Sequence, residues 1–210
     1  MARLVHAEIH RGSAYEVSAF CVDREYISGD TFLGIPIVPF DELSMRYPPD
    51  AYELFVAVGY AGVNRVREER YLQAKDAGYR FPTIIAKTAV TYPDLEIGEN
   101  CMIGNLTVIH PQVRIGNNVL IGSTCNLNHD LVVGDHCFFS DRVAISGRVS
   151  IGPNCFFGTG AIVRNGVSIG RESVIGAATA IMEDVAERSV YFSETSSKLA
   201  ITSDRIRLAQ

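Results

Sequence analysis

Between Ile85 and Ala186 a large apolar residue recurs at every sixth position. The run covers 102 residues, or 17 hexads, without an insertion. Hexads open on Ile85, Thr91, Ile97, Ile103, Ile109, Ile115, Ile121, Leu127, Val133, Phe139, Ile145, Ile151, Phe157, Val163, Ile169, Ile175 and Ile181, and only Thr91 departs from the rule. The second position is Gly in nine hexads: Gly98, Gly104, Gly116, Gly122, Gly134, Gly152, Gly158, Gly170 and Gly176. The fifth is small or β-branched in most, as in Thr107, Val113, Val143 and Ala161.

Six residues make one short strand and one turn, and three such units close a triangular coil of about 18 residues. Coils then stack about 4.8 Å apart, the spacing of hydrogen-bonded strands. The first position points into the prism, so Ile85, Ile103, Ile121, Phe139, Phe157 and Ile175 are expected in one inward column. Glycine at the second position suggests a corner with positive φ. A hexapeptide period is a signature of parallel β-helices. The register also places Cys101, Cys125, Cys137 and Cys155 at the fifth position, where they read as small core residues rather than ligands or nucleophiles.

Residues 1–84 have a different texture. Met1–His10 reads as a helix. Tyr15–Val22 and Leu54–Gly59 read as strands, Gly34–Val38 as a short edge strand, and Phe40–Leu43 as a helical turn. Asn64–Ala77 predicts a helix that Gly78 stops. Strands alternating with helices suggest a small α/β domain with a parallel sheet. Ligands bind such sheets beyond the strand carboxyl ends. Asp23 and Gly59 stand there, one as an acceptor for ribose or base donors, the other allowing close backbone approach. The expected division is 1–84, a small α/β domain; 85–187, the β-helix; and 188–210, a C-terminal tail.

Composition removes several function classes. The chain has 210 residues, is 47% hydrophobic and 20% charged, and carries a net charge of −5. Without a basic cluster, nucleic acid is a poor partner. No apolar run approaches the roughly 18 residues a membrane span needs, and the first ten residues lack a signal peptide's apolar centre. A cytoplasmic location is therefore expected. Five cysteines without a CxxC suggest neither a disulfide framework nor a zinc knuckle.

His129 is the candidate for chemistry. It takes the third position of the Leu127 hexad, near a corner where side chains point outward, while Leu127 and Leu131 point inward. Asp130 follows it, and Gly147 should lie directly above it, one coil on. An imidazole suits proton transfer near neutral pH. His110, His129 and His136 occupy the second, third and fourth hexad positions, project differently, and match no common metal-ligand spacing. No metal site is expected, and a β-helix carbonic anhydrase is disfavoured. A non-catalytic hexapeptide scaffold would keep the repeat without needing an outward His-Asp pair.

Both halves together resemble the bacterial nucleotide-sugar acetyltransferases of the bacillosamine, perosamine and sialic-acid type. The resemblance rests on Val56-Ala57-Val58-Gly59, on Asn128-His129-Asp130-Leu131-Val132-Val133-Gly134-Asp135, and on Ser146-Gly147-Arg148-Val149-Ser150-Ile151-Gly152. It implies a left-handed β-helix, although parallel crossovers are normally right-handed, preceded by a Rossmann-like domain that here lacks its usual first strand. It implies acetyl transfer from acetyl-CoA to the amine of a nucleotide-linked sugar for surface polysaccharide or glycan biosynthesis, with transfer to a sugar hydroxyl as the alternative. His129 would be the base, Asp130 its support, and the Gly147 amide the donor to the acetyl carbonyl. Acetyl-CoA would lie between prisms of a homotrimer. Its expected contacts are Gly147, Thr159 and Ala177, read as successive coils near one corner, and Phe138, which stands where the family has a histidine near the thioester. Asp23, Arg24, Val56, Gly59 and Asn128 are the expected acceptor contacts.

Overall fold

The computed structural model describes residues 1–11 and 15–194. Its larger part is a three-sided, left-handed parallel β-helix built from two-residue strands formed by the sixth and first positions of successive hexads. One face holds seven strands, from Ile84–Ile85 through Met102–Ile103, Leu120–Ile121, Phe138–Phe139, Phe156–Phe157 and Val174–Ile175 to Val190–Tyr191. A second face runs from Val108–Ile109 to Ala180–Ile181 and a third from Glu96–Ile97 to Ser168–Ile169, with five strands each. Partners are 18 residues apart, as in Asn126↔Ala144 and Val132↔Ser150. The spacing falls to 16 in the last coil, where Ile175 pairs with Tyr191 and Ile169 bridges to Val185. The hexad counted from Ile181 is thus not a full repeat.

First and fifth positions fill the interior. Ile103, Leu127, Leu131, Phe139, Ile145 and Phe157 are fully buried, and Phe139 stacks on Phe157 with ring centroids 4.6 Å apart. Ile85 opens the inward column at the end of the prism and stays partly exposed. The fifth-position thiols each donate to a carbonyl one coil on: Cys101 to Gly116, Cys125 to Ser140, Cys137 to Gly152 and Cys155 to Gly170. Thr107 does the same to Gly122 at 2.8 Å. The position therefore selects a small buried donor. Burial pushes the Cys101 thiol up to about 12 and that of Cys125 up to about 11, which keeps both protonated and inert.

The second-position glycines serve another purpose than the one expected. None has positive φ; the left-handed residues are those of the fourth position, Asn100, Asn118, Asp130, His136 and Asn154 among them. A Cβ on Gly104 would lie 2.6 Å from the Gly122 carbonyl, and one on Gly158 2.4 Å from the Ala177 nitrogen. Glycine is required because the next coil passes too close for a side chain.

In the N-terminal region, helix α1 spans Ala2–His10 and helix α3 spans Arg65–Asp76, with the short α2, Leu43–Arg46, between them. A three-stranded sheet is formed by β1 (Phe20–Val22), β2 (Thr31–Phe32) and β3 (Ile35–Pro39) in the order β1-β3-β2. The segment expected at the edge is the central strand. It pairs parallel with β1 and antiparallel with β2. Only the last three residues of Tyr15–Val22 are strand, and Leu54–Gly59 is extended without joining the sheet; a single bridge links Glu53 to Arg80. Its backbone is engaged elsewhere, since the Val56 N–H donates to Asn100 Oδ1 at 2.8 Å.

This region packs on the seven-stranded face, whose outward residues are Ile84, Met102, Leu120, Phe138 and Phe156. Val5, Ile9, Phe55 and Ala57 cover them. Helix α3 lies along the corner where the third face turns into the seven-stranded one, and Glu8 of α1 meets Asn105 at the corner on the other side. The corner carrying His129, between the second and third faces, lies opposite.

Candidate active site

The His129 corner is set by its turn. Leu127 and Leu131 anchor the chain inward, Asp130 adopts φ 58°, and the turn between them stands clear of the prism. His129 Nδ1 lies 2.7 Å from Asp130 Oδ2, with the two side chains 54% and 45% exposed. A carboxylate can only accept, so Nδ1 carries the proton and Nε2 presents a lone pair. The imidazole covers the buried Gly147: a Cβ there would fall 2.6 Å from both Cε1 and Nε2 of His129. Gly147 thus exists to admit the ring, and it brings a backbone amide beside a basic nitrogen. An oriented base next to a backbone donor can take a proton from a nucleophile while the donor holds charge on a carbonyl oxygen. Asn128 is half-buried, its Nδ2 donating to the Ile145 carbonyl at 3.1 Å.

The other expected contacts fall elsewhere in the chain. Thr159 and Ala177 are exposed, but they follow strands of the seven-stranded face and share a corner with each other, not with Gly147. A separation of 12 residues is two-thirds of a coil, so the single corner expected for all three is two. Phe138 is 8% exposed and packs against Tyr60 and Phe156, with ring centroids 5.2 and 5.8 Å away. In this chain it is a docking residue rather than a surface for a cofactor. Asp23 is ion-paired with Arg70 at 2.6 Å, and Arg24 with Asp41 and Glu42 at 2.8 and 2.6 Å. Val56 is buried, while a Cβ on Gly59 would meet only open space. Among the described residues no cluster of His, Cys, Asp and Glu could hold a metal ion, and no helix is long and apolar enough to cross a membrane.

One residue that the sequence reading passed over dominates the opposite corner. Arg67 of α3 is fully buried, donating to the carbonyls of Gly59, Asn118, His136 and Cys137 and to Asn118 Oδ1 and Asn64 Oδ1 at 2.6–3.3 Å. Burial lowers its guanidinium to about 10. Beneath it runs a ladder of fourth-position side chains: Asn100 Nδ2 donates to Asn118 Oδ1 at 2.8 Å, and Asn118 Nδ2 to His136 Nδ1 at 2.9 Å. Asn154 continues the ladder to Glu68 at 2.7 Å, and Glu172 to Arg65 at 2.7 Å. The legible signal was a polar residue at every eighteenth position: Asn100, Asn118, His136, Asn154, Glu172.

The comparisons agree with the hexapeptide fold. Family models described as bacterial transferase hexapeptide (six repeats) and hexapeptide repeat of succinyl-transferase match residues 94–129 and 148–182. No curated protein matches the chain. Among solved structures, PerB from Caulobacter crescentus in complex with CoA and GDP-perosamine is 30% identical over 77% of each chain, with a TM-score of 0.72. The acetyltransferase domain of PglB from Neisseria gonorrhoeae, in complex with acetyl coenzyme A, is 23% identical over 90% of this chain and 89% of that one, with a TM-score of 0.81. WeeI from Acinetobacter baumannii is 21% identical over 90% and 88%, with a TM-score of 0.77. The last two show the shared fold. With the identity and coverage of the first, and with a base and a backbone amide juxtaposed on a hexapeptide prism, the chain belongs to the hexapeptide-repeat nucleotide-sugar N-acetyltransferases.

Proposed function

We propose that this protein transfers the acetyl group of acetyl-CoA to the amine of a nucleotide-linked amino sugar, with His129, Asp130 and Gly147 as its catalytic group. The observation that carries the reading is the His129 imidazole, held by Asp130 at 2.7 Å and lying over Gly147. His129 Nε2 takes a proton from the sugar ammonium. The amine attacks the thioester carbonyl carbon, and the Gly147 N–H holds the developing oxyanion. Collapse breaks the C–S bond, the imidazolium returns its proton to the leaving thiolate, the second proton of the attacking nitrogen passes to solvent, and an amide and free CoA result. No serine or cysteine nucleophile is involved, so transfer is direct.

Residues 1–84 serve as the acceptor domain and residues 85–187 as the transferase domain; of the tail at 188–210, residues 195–210 lie outside the described part. Within one chain the acceptor domain covers the seven-stranded face and its flanking corners, while His129 occupies the third corner. A site that unites them takes two copies. This supports a homotrimer in which His129 of one prism faces the late coils and N-terminal region of a neighbour. That arrangement also reconciles the two corners, for Thr159 and Ala177 then line the pantetheine arm from the adjoining subunit. Phe138, being covered, is not among the contacts. Asn128 and Gly59 remain acceptor contacts from opposite sides of the interface. A cytoplasmic place in surface-polysaccharide assembly fits a nucleotide-linked acceptor.

The decisive experiment is thiol release from acetyl-CoA with a panel of nucleotide-linked 3-amino and 4-amino sugars, run beside their hydroxyl counterparts. Turnover with an amine and none with the hydroxyl sugar is expected. Turnover with the hydroxyl sugars alone would replace N-transfer by O-transfer, and none with either would leave only a scaffold.

A further inference from the structure

The third turn position carries a recurrent hydrogen bond along the prism. The Glu99 N–H donates to Asn117 Oδ1 at 3.1 Å, the Asn117 N–H to Asp135 Oδ1 at 2.6 Å, and the Ser123 N–H to Asp141 Oδ1 at 2.7 Å. Each time, the side chain one coil further on accepts. Above Gly147 that place belongs to Asn165, whose amide oxygen could cap the Gly147 N–H in the same way. Its neighbours dictate the reverse arrangement. With its amide assigned by hydrogen bonding, Asn165 Nδ2 donates to the Gly147 carbonyl at 2.8 Å, and Oδ1 accepts from Arg148 Nη2 at 3.0 Å. The Gly166 N–H donates to the same Gly147 carbonyl at 3.0 Å. Among the described residues, the Gly147 N–H meets no acceptor.

The two ends of a side-chain amide are nearly equal in size, so hydrogen bonding decides which way it points. Arg148 offers N–H donors and has no acceptor capacity. Facing Asn165, it tolerates the oxygen and rejects the NH2. We propose that Arg148 is a positioning residue: by occupying the amide oxygen of Asn165, it makes Asn165 pin the Gly147 carbonyl and leaves the Gly147 N–H open to the acetyl oxygen. Without Arg148, only the Gly147 carbonyl holds the Asn165 amide in that orientation, and the side chain is free to rotate until Oδ1 caps that N–H as Asn117, Asp135 and Asp141 cap theirs. The consequence for turnover rests on the acetyltransferase reading; the hydrogen-bond arrangement itself does not.

Two measurements test this on full-length protein carrying Arg148→Met, Asn165→Ala or both. The first is hydrogen exchange of the Gly147 amide by NMR without ligand. Arg148→Met should slow it about tenfold, and adding Asn165→Ala should abolish the slowing. The second is thiol-release kinetics. Removing an oxyanion donor outright costs about 10²–10³ in rate, and a competing cap removes it part of the time. Arg148→Met should therefore lower kcat about tenfold, with the KM for acetyl-CoA within about twofold, and the double variant should be faster than Arg148→Met alone. Unchanged exchange in Arg148→Met, losses that multiply in the double variant, or a raised KM for acetyl-CoA at normal kcat would each overturn the assignment. If the wild type releases no thiol at all, the acetyltransferase reading fails, and the exchange arm still decides the role of Arg148.

Discussion

Two corners of the same prism carry a histidine, and they show opposite uses of one geometry. His136 is 10% exposed: Nδ1 accepts from Asn118, its carbonyl accepts from Arg67 at 2.6 Å, and Nε2 faces Glu68 at 3.6 Å. His129 is 54% exposed and has Asp130 as its partner on one nitrogen only. Helix α3 covers the first corner and satisfies its polar groups, whereas the second is left bare and oriented. Coil geometry alone does not make a reactive histidine. What distinguishes the two is whether another part of the same chain has already met the ring's second nitrogen.

The comparison is broken most sharply at His129. His129→Ala should lower kcat by about 10²–10⁴ while the affinity for acetyl-CoA, measured by calorimetry, stays put. A raised KM at normal kcat would make the ring a sugar contact instead. The covered corner should respond in stability rather than rate. Arg67→Ala leaves several buried carbonyls without donors and opens a cavity, so about 3–5 kcal/mol of unfolding free energy should be lost in denaturant titration, and exposed variants such as Arg148→Met should show no such loss.

Smaller effects refine the contrast. Gly147→Ala puts a methyl 2.6 Å from the His129 ring; the exposed imidazole should swing aside, and kcat should fall about tenfold or more at unchanged melting temperature. Asp130→Asn removes charge support but keeps the ring, so its kcat should fall less than that of His129→Ala. The smallest effect is a pH dependence at His136. Burial lowers its pKa, against an upward pull from Glu68 and Asp135 and a further downward push from Arg67. The unfolded chain, titrating near about 6.5, then binds more protons than the folded one. Stability from this group is present above that pH and is lost as pH falls below it. Between about pH 6.5 and pH 5, the melting temperature should drop less in His136→Asn than in the wild type.

The periodicity made most of the prism legible. The strands from Glu96–Ile97 to Ala180–Ile181, the inward columns and the buried cysteines follow from counting in sixes. The role of the second-position glycines did not, because their constraint is the approach of the next coil rather than their own torsion. The slip after Ile181 was also hidden, since Val185 preserves an apolar residue after the spacing changes. At the site, His129 and Asp130 could be read because they are adjacent in sequence, and Gly147 because it stands 18 residues on. Arg67 could not, since its partners on the prism lie 51 to 70 residues away and a charged residue on a helix ordinarily faces water. Leu54–Gly59 has the composition of a strand, yet its amide is taken by Asn100 of the prism, a tertiary demand that local propensity does not encode.

The apolar stripe on the seven-stranded face bears on how the molecule comes into being. Ile84, Met102, Leu120, Phe138 and Phe156 offer one large side chain per coil, and Val5, Ile9, Phe55, Ala57 and Tyr60 shelter them. A β-helix cut free of residues 1–83 would show that ladder to water, and the same ladder on a second copy would be a ready substitute cover. During synthesis the N-terminal region emerges first, so it stands ready as each coil closes. The protein carries its own escort against aggregation, and the escort stays packed on the finished prism.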